Sequence, residues 1–559
     1  MRLQAFTASF NQTHPRCRCL PSDSCWPTNE LWDALNTTVD GRLIKVVPIG
    51  AKCHDPHYDP EACEALQAQW MNPLLHIESP SSPMQLFFAN QSCDPFTPRE
   101  RPCELGNLVA YAVDASTADH IAATIQFAKQ NNVRFVVRNT GHDFFGRSTG
   151  AGALAVWTHH MKSLEMLEFS SDTYTGKALR VGAGVQGSDI VEFGNRNNVL
   201  AVTGECPTVG VAGGFTQGGG HSPLSTQFGL AADQVLEYEV VTADGRVLAA
   251  SPVENEDLYW ALSGGGGGTY AVVVSMTIKA HEPAQIGGGR IQIGAASLSP
   301  EIFSQVIQEF HHALPQMVDN GSTVSYLLMG PAIIIGPITA YNHTGEYVQS
   351  VITESFVSAL DTLNVTYTTE FTTLSYRDHY DRYYGPLPVG SVFSTAVQSG
   401  GRLVPRGSIE SNGDYFSAMI TNLISQQAIV VGSSGAYLAF NDTPNAVLPA
   451  WRNTLVQMQV SIPWSTDPEL LDEMTAAQGF INDVLMAQVK EATPGGASYL
   501  NEASHREVDW KTAFFGENYS ELERVKRAWD PDSIFYAFKG VGSETWDVDE
   551  TGRMCRVES

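Results

Sequence analysis

The sequence predicts an α+β fold built from more than one domain. At 559 residues, the chain exceeds the usual size of a single domain. A strand–helix–strand pattern opens with NLVAYAV (107–113) and closes with VRFVVRN (133–139). Between them lies the amphipathic stretch TADHIAATIQFAKQNN (117–132), a predicted helix with Thr117 as its cap. From about residue 284 to about residue 495, helical patterns such as EYVQSVITESFVSAL (346–360) alternate with strand patterns such as TVSYLLMG and AIIIGPITAYN. This alternation is typical of an antiparallel sheet covered by helices.

Residues 1–103 are predicted to form a cysteine-rich extension with two short helices, at 31–39 and 61–70. If Cys206 serves another purpose, eight cysteines remain, an even number compatible with disulfides in an oxidising compartment. A zinc site involving Cys53, His54, His57 and Cys63 is the alternative, although the spacing fits no common zinc pattern. Seven of the nine cysteines lie in this extension, namely Cys17, Cys19, Cys25, Cys53, Cys63, Cys93 and Cys103.

Sequons for N-glycosylation recur along the chain and, together with the cysteines, favour a secreted, extracellular glycoprotein. The first residues lack a proper apolar leader core, so either a leader has been removed or the start is atypical. No stretch reaches the roughly 18 apolar residues of a membrane-spanning helix. The sequons are at Asn11, Asn36, Asn90, Asn320, Asn342, Asn364, Asn441 and Asn518.

The charge balance is strongly acidic. With 33 Lys and Arg against 60 Asp and Glu, the formal net charge is −27. Such a charge disfavours binding to nucleic acid or to an anionic membrane, because both carry negative charge themselves. The hydrophobic content of 43% is that of a globular protein.

The first strand–helix–strand unit leads into a turn, VVRNTGHDFFGRS (136–148). Gly141 and Gly146 bracket His142 there. Successive backbone N–H groups in such a turn form a concavity suited to a pyrophosphate. Glycine is needed because a side chain would block both the backbone conformation and the approach of a ligand. The turn therefore predicts an anion site at the end of a strand.

Three further glycine-bearing stretches follow. The first runs from Gly204 through GECPTVG into GGFTQGGGHS, and the second is the run Gly264–Gly268. The third is Gly182-x-Gly184-x-x-Gly187, which lies between a strand and a helix-like stretch. It matches the dinucleotide-binding fingerprint, with Glu205 in the place of the ribose-binding acid. A hairpin with its turn at Asp244-Gly245 is predicted between the GGFTQGGGHS stretch and the run Gly264–Gly268.

These stretches resemble the FAD-linked oxidases of the vanillyl-alcohol oxidase / p-cresol methylhydroxylase superfamily, in the berberine-bridge-enzyme-like branch and its secreted fungal subgroup. The resemblance is carried by R-N-T-G-H-D at 138–143, by G-E-C-P-T-V-G at 204–210 and by the glycine run. It implies a two-subdomain FAD-binding (PCMH-type) domain over 104–283, a substrate domain over 284–499 and a C-terminal segment, 500–559, that returns to the FAD domain. The same turn in relatives explains the dinucleotide fingerprint without a nicotinamide.

The resemblance also implies an FAD attached twice, through His142 to the 8α position and through Cys206 to C6. The sequence departs from many relatives at Thr140 and Asp143, where they have glycine and serine, and at 269–271 after the glycine run. The other expected cofactor-binding residues are Arg138, Asn139, Thr140, Gly141, Asp143, Gly146, Ser148, Gly204, Val209, Gly210, Gly213, Gly214, Gly219, Gly220, Ser222, Val272 and Asn501.

The expected reaction is oxidation of a small-molecule alcohol, a phenolic or carbohydrate hydroxyl, with hydride passing to the flavin and O2 reduced to hydrogen peroxide. Tyr499, in a Y-x-N element that resembles one facing the flavin in relatives, is the first choice for the catalytic base. Tyr380 and Asp381, with Tyr376 in the same loop, are further choices. Val209 favours an oxidase. A dehydrogenase that uses a quinone, and a glycoprotein that holds flavin without efficient turnover, are the alternatives.

Overall fold

The computed structural model describes residues 16–390, 397–441 and 443–557. The sequon at Asn11 and the start of the chain lie outside these residues. The N-terminal region contains α1 (Asn29–Thr38), β1 (Leu43–Lys45), α2 (Pro60–Gln69) and α3 (Pro73–Ile77). Its cysteines form the disulfides Cys17–Cys555, Cys19–Cys25, Cys53–Cys63 and Cys93–Cys103. The disulfide prediction is confirmed, and Cys53 and Cys63 are no longer available as zinc ligands.

The first sheet contains the predicted strand–helix–strand unit. Its elements after β1 are β2 (Tyr111–Asp114), α4 (Ala118–Gln130), β3 (Phe135–Arg138) and β4 (Leu154–Trp157). The strand order is β1–β2–β4–β3, with β2, β4 and β3 parallel and β1 antiparallel. The predicted cap of α4 is confirmed, because the Thr117 hydroxyl accepts the His120 amide at 3.2 Å. Ile121 and Ile125 of α4 pack against the sheet, which directs the end of β3 outward.

The second sheet is antiparallel, in the order β5–β6–β9–β7–β8. The predicted hairpin is present, with the turn at Gly245 between β7 and β8. The elements are β5 (Leu164–Ser170), β6 (Thr175–Gly182), α5 (Gly187–Asn197), α6 (Ser225–Phe228), β7 (Val235–Val241), β8 (Val247–Ala250), α7 (Glu256–Leu262) and β9 (Val272–Lys279).

The third sheet has seven antiparallel strands. Its order is β13–β10–β12–β11–β15–β16–β14 among β10 (Ile286–Gly294), β11 (Ser322–Met329), β12 (Ala332–Tyr341), β13 (Tyr367–Leu374), β14 (Val397–Pro405), β15 (Ile429–Ser434) and β16 (Thr454–Pro463). The helices of this part are α8 (Pro300–Asp319), α9 (Gly345–Tyr347), α10 (Glu354–Thr362), α11 (Tyr376–Tyr383), α12 (Arg406–Glu410), α13 (Gly413–Ser425), α14 (Leu471–Phe480) and α15 (Met486–Ala492).

One face of the third sheet packs on helices and the other is polar. Val324, Tyr326 and Leu328 of β11 lie in the core with α8, α10 and α13. Because side chains alternate along a strand, Ser325 of β11 lies on the opposite face. The expected antiparallel sheet covered by helices is confirmed. The single helix expected over 346–360 is instead broken into α9, a π-turn at Val348–Ile352 and α10.

The C-terminal region packs on the second sheet. It contains α16 (Trp510–Phe515), α17 (Tyr519–Trp529), β17 (Trp546–Val548) and β18 (Met554–Arg556). Leu522 and Val525 are buried in the core beneath that sheet. Lys526 forms a buried ion pair with Asp530 at 2.6 Å and donates to the Thr269 carbonyl at 2.7 Å. The segment thereby fixes the glycine run from behind. No helix among the described residues has the length and apolar character needed to cross a membrane.

Candidate active site

The His142 turn is supported from behind by a buried arginine. Arg138 ends β3 with no exposed surface, and its guanidinium donates to the carbonyls of His76, Ser79 and Ser82 at 2.8 to 3.0 Å. Gly141 follows with φ +82°, and a Cβ there would lie 2.8 Å from the guanidinium. The turn therefore requires glycine at 141 for both backbone conformation and space. Arg138, predicted to bind cofactor, holds the turn against the N-terminal region.

Asp143 closes the turn on itself. Its carboxylate accepts the amides of Phe145 at 3.2 Å, Arg147 at 2.6 Å and Ser148 at 3.2 Å, and also the Ser148 hydroxyl. A carboxylate that accepts several backbone N–H groups fills the place of an external anion. The expectation that successive amides of this turn face a pyrophosphate is therefore wrong for these three. Gly146, the last glycine of the turn, packs against the Phe88 ring.

His142 and Cys206 converge on one hydroxyl. His142 Nε2 lies 2.8 Å from Thr208 Oγ1, and Cys206 Sγ lies 3.4 Å from the same oxygen. Cys206 takes no part in the four disulfides. Burial, with a smaller contribution from His76, lowers the pKa of His142 to about 3, so the imidazole is neutral at physiological pH. A neutral imidazole and a thiol side by side are two nucleophiles facing one point.

The pKa of the Cys206 thiol is raised, because burial outweighs the hydrogen bonds from Thr208 and Val209. A base is therefore needed to form the thiolate. Thr208 itself is buried, and its carbonyl accepts the Gln186 side chain at 2.7 Å.

Two glycine segments meet beside this pair and leave a wall without side chains. We call residues 210–214 and 264–268 the glycine wall. A Cβ on Gly210 would lie 2.1 Å from Asn139 Nδ2, and one on Gly267 would lie 2.9 Å from the Gly214 Cα. Gly213 and Gly214 are accessible, and Gly268 has no atom within 4 Å of its Cβ position. Bare backbone of this kind fits a large flat ligand beside His142 and Cys206.

Several predicted cofactor residues have structural roles behind the glycine wall. Val272 is buried in β9, opposite Val241. Thr140 is buried, and the Asn139 side chain donates to the Ala183 carbonyl at 2.8 Å. The carbonyls of Gly219 and Gly220 accept the amides of Ala232 and Ala231, respectively. The Ser222 hydroxyl accepts the Leu224 amide, and the Val209 carbonyl accepts the Gly187 amide.

The G-x-G-x-x-G sequence does not face a nucleotide. Position 184 requires glycine because a Cβ there would lie 2.1 Å from the His159 carbonyl oxygen. Position 182 requires glycine because a Cβ there would lie 2.5 Å from the Met161 carbonyl oxygen. The strand before it, β6, pairs antiparallel with both neighbours, whereas a dinucleotide fold needs a parallel sheet. The glycines allow close packing of backbone on backbone.

A cluster of polar side chains from the third sheet surrounds Glu205, the residue that precedes Cys206. Glu205 Oε1 accepts the hydroxyls of Ser325 and Ser433, both at 2.8 Å. These serines are directly opposed cross-strand partners on β11 and β15. Next to them, Gln459 of β16 donates to Glu502 Oε2 at 2.7 Å.

His221 forms an ion pair within this polar cluster. Its Nε2 lies 3.1 Å from Glu502 Oε1. Burial alone would lower the pKa of His221, but the charge and hydrogen bond of Glu502, with Glu205 further away, raise it to about 9. The side chain is therefore an imidazolium at neutral pH. We call Glu205, His221, Glu502, Tyr437 and Tyr499, with the three sheet residues that contact them, the carboxylate pocket.

Tyr499 lies in this pocket as a neutral phenol. Its oxygen accepts Asn501 Nδ2 at 2.7 Å, and the same amide group donates to the Gly214 carbonyl at 2.7 Å. Burial and then the charge of Glu502 raise the pKa of Tyr499, against the opposing effects of Asn501 and the Gly220 amide. Tyr499 and Asn501 thus link the glycine wall to the pocket. The electrostatics favour Tyr499 as a hydrogen-bond donor over a base at neutral pH.

The side chains of Tyr380 and Asp381 lie on different sides of α11. The Tyr380 hydroxyl is buried and donates to the Gly204 carbonyl at 2.6 Å. Burial raises its pKa well above the usual value. Asp381 lies on the outer side of α11, where it accepts the Leu387 amide at 2.9 Å and lies 3.7 Å from Arg377. Asp381 therefore does not reach the pocket. Tyr376 is buried beside Tyr380.

Two polar atoms of the pocket lack partners among the described residues: the Tyr437 hydroxyl and His221 Nδ1. Both are buried. Since buried polar groups are almost always hydrogen-bonded, such atoms mark the place of a polar ligand or water. Sequence reasoning missed Glu205, His221 and Glu502 as a set, although Glu205 and Glu502 are each next to residues that it selected.

The comparison with known proteins decides the family. Residues 109–251 match the FAD binding domain family, and residues 498–542 match the berberine and berberine like family. FAD-linked oxidoreductase ZEB1 of Gibberella zeae is 46% identical over 97% of this chain and 95% of its own. The chain belongs to the FAD-linked oxidoreductases of this family. It is an FAD-dependent enzyme of the vanillyl-alcohol oxidase type, berberine-bridge-enzyme-like branch, as the sequence predicted.

Solved structures agree with this fold. The VAO-type flavoprotein MtVAO615 of Myceliophthora thermophila C1 superimposes with a TM-score of 0.90, is 38% identical, and covers 97% of this chain and 100% of its own. Glucooligosaccharide oxidase of Acremonium strictum, described with a 6-S-cysteinyl, 8α-N1-histidyl FAD, has a TM-score of 0.63, is 17% identical, and covers 78% of this chain and 92% of its own. The two-domain FAD-binding fold is thereby confirmed.

Proposed function

We propose that this FAD-linked oxidoreductase carries its FAD bicovalently, through His142 to the 8α position and Cys206 to C6, and oxidises an alcohol with O2 as electron acceptor. One observation carries the attachment: His142 Nε2 and Cys206 Sγ lie on the same hydroxyl, Thr208 Oγ1, at 2.8 and 3.4 Å. These two nucleophiles are close together, as attachment to C6 and to the 8α carbon of one benzenoid ring requires. The doubly attached FAD of glucooligosaccharide oxidase supports the same chemistry on this fold.

The residues present fit a flavin. The glycine wall gives backbone surface that any Cβ would fill, at Gly210 and Gly267 above all. We propose that this wall lies along the ring system, with Asn501 between ring and pocket. Residues 104–283 and 500–559 would then carry the cofactor, 284–499 would face it with the third sheet, and 1–103 would form the disulfide-bonded extension.

When bound, the flavin supplies a hydride acceptor and returns its electrons to dioxygen, which gives hydrogen peroxide. The chain's own residues bind the alcohol, orient its C–H bond and handle the hydroxyl proton. The carboxylate pocket suits this work, since it combines carboxylates, one imidazolium and neutral phenols around two unpartnered polar atoms. The rings of Trp451, Tyr437 and Tyr499 pack edge to face at 5.2 Å and offer a surface for a phenolic or carbohydrate ring.

The chain is further proposed to be a secreted glycoprotein. Four disulfides tie the N-terminal region and link it to Cys555, as in proteins of oxidising compartments. Four sequon asparagines are exposed, which glycan transfer requires: Asn90, Asn342, Asn364 and Asn441.

The attachment is tested by denaturing single and double variants in acid. His142→Ala and Cys206→Ala should each retain the flavin in the protein pellet through the remaining bond, while the double variant releases it. Yellow supernatant from either single variant contradicts two bonds. Cys555→Ser, which removes a cysteine outside the site, serves as the control and should release no flavin.

Turnover is tested on the wild type. Under nitrogen, an alcohol substrate should bleach the flavin absorbance, and air should restore it with one peroxide released per alcohol oxidised. Bleaching that is reversed by a quinone but not by air identifies the dehydrogenase alternative. A flavin that no alcohol bleaches identifies the alternative without turnover.

A further inference from the structure

The pocket holds two carboxylates, and the structure treats them differently. Both oxygens of Glu502 are engaged, Oε1 by the His221 imidazolium at 3.1 Å and Oε2 by Gln459 at 2.7 Å. Glu205 is engaged only through Oε1, by Ser325 and Ser433. Among the described residues no donor contacts Glu205 Oε2, and this oxygen is not a buried orphan either. Oε2 is therefore accessible to solvent.

The backbone fixes where this oxygen is presented. Gly204 is anchored through its carbonyl by the Tyr380 hydroxyl at 2.6 Å, and Cys206 lies against Thr208. Glu205 lies between the two, so its Cα is about 3.8 Å from that of the residue proposed to bond the flavin. C6 of a flavin is bonded to C5a, the ring carbon that carries N5, the hydride acceptor. A flavin bonded to Cys206 would therefore have Glu205 as the chain neighbour of its attachment point.

The phenols around it do not compete for this role. Burial raises the pKa values of Tyr376, Tyr380 and Tyr499 above the usual value for a phenol, so they remain protonated and do not serve as bases at neutral pH. His221 is already protonated at neutral pH. A base must be within hydrogen-bond reach of the proton and must be able to accept it. Of the two pocket carboxylates, only Glu205 has an oxygen, Oε2, without a donor among the described residues, so it is the group we infer to accept the proton.

We propose that Glu205 is the proton acceptor of the alcohol oxidation, in place of Tyr499. The proposal rests on the proposed function and names the base of that same site. In the step, the alcohol C–H bond breaks and its hydrogen leaves as hydride to the bound flavin. The O–H bond breaks with its proton passing to Glu205 Oε2, and the C=O bond forms. The alcohol loses two electrons and the cofactor gains two, which O2 later accepts with two protons as hydrogen peroxide.

Ser325 and Ser433 act as positioning residues in this scheme. As directly opposed partners on β11 and β15, they hold Oε1 with two hydroxyl donors and so fix the position of the carboxylate.

The experiment uses the flavin-loaded enzyme and rapid mixing under nitrogen with benzyl alcohol, 4-hydroxybenzyl alcohol and cellobiose. With the alcohol that reduces the wild type fastest, Glu205→Gln should slow flavin reduction by about 100-fold or more, the size of a general-base effect. Glu205→Asp, which keeps the carboxylate, should retain more activity than the amide. The matched control is Glu239→Gln. Glu239 lies on β7, and its carboxylate accepts a hydrogen bond from the Ser275 hydroxyl at 3.0 Å. In this variant the flavin should be reduced at the wild-type rate.

Two further measurements separate a base from a structural residue. Sodium formate added to Glu205→Ala should restore part of the reduction rate, because a small carboxylate can occupy the vacated place. The flavin midpoint potential, measured against redox dyes without any alcohol, should rise in Glu205→Gln, since a negative charge next to the ring is removed.

Reduction of Glu205→Gln within threefold of the wild-type rate overturns the proposal, and so does an unchanged midpoint potential. If Glu205→Gln does not fold, a Glu205→Ala enzyme whose reduction rate formate does not raise overturns it as well. A wild-type flavin that none of the three alcohols reduces contradicts the proposed function itself, and with it the reaction that Glu205 would serve.

Discussion

The glycine wall and the carboxylate pocket are opposite sides of one site and are built in different ways. The wall and the His142 turn are made from short continuous stretches, in which glycine is required by contacts such as the 2.1 Å approach of a Gly210 Cβ to Asn139. The pocket joins residues 120, 228 and 281 positions apart: Glu205 with Ser325, Glu205 with Ser433, and His221 with Glu502. The proposed attachment of the cofactor thus depends on local sequence, and the proposed substrate chemistry depends on the packing of the third sheet.

The largest effect is expected from breaking the wall at its support. Arg138→Met leaves three buried carbonyls without donors, so we expect a loss of about 3–5 kcal/mol in the free energy of unfolding. Urea denaturation followed by tryptophan fluorescence measures it. Arg527→Met, at a side chain that is 75% exposed, should change stability by less than about 0.5 kcal/mol. Equal effects of the two variants would contradict the supporting role of Arg138.

The pocket is distinguished from the wall by its pH dependence. Folding raises the pKa of His221 from its usual range to about 9. The His221–Glu502 pair therefore stabilises fully below about pH 6.5 and loses its contribution as pH rises through about 9. At most about 3 kcal/mol is involved.

Urea denaturation of wild type and His221→Gln between pH 6 and pH 10 checks this. The wild-type advantage should shrink as pH rises, while exposed His57→Gln should track the wild type throughout. An advantage of wild type over His221→Gln that is constant with pH would show that the imidazole is not charged in the pocket.

Gly210→Ala tests the wall at its closest contact. The new methyl group meets Asn139 Nδ2, which must shift, so we expect a loss of about 1–3 kcal/mol and reduced flavin content. Thermal unfolding and the ratio of flavin to protein absorbance measure the two effects. Gly407→Ala is the matched control, because nothing lies within 4 Å of its Cβ position. A Gly210→Ala enzyme with wild-type flavin content would show that the wall is not shaped by the cofactor.

The smallest effect is expected at the hydroxyl that His142 and Cys206 share. Thr208→Val keeps the shape but removes the contacts at 2.8 and 3.4 Å. Stability should change by about 1 kcal/mol or less. The fraction of FAD released by acid should nevertheless rise, because neither nucleophile is oriented, and Thr208→Ser should restore attachment. Full attachment in Thr208→Val would show that the Thr208 hydroxyl is not needed to orient the two nucleophiles.

The same contrast explains what the sequence could predict. The α4 pattern with its Thr117 cap, the Asp244–Gly245 hairpin and the disulfides depend on near neighbours or on cysteine count, and each was predicted. The placement of His142 and Cys206 on one hydroxyl agrees with the motifs that selected them. The capture of turn amides by Asp143 was not foreseen, since a carboxylate in that place can face inward or outward and only packing decides. Glu205, His221 and Glu502 come together through strands that no local pattern pairs.

The most direct test of the central claim is peptide mass spectrometry of the purified enzyme after proteolysis. Two attachments predict one cross-linked species in which the peptide with His142 and the peptide with Cys206 are joined through a single FAD, with visible absorbance and the summed mass. An unmodified Cys206 peptide alongside flavin on His142 alone, or two unmodified peptides with free FAD, would contradict it.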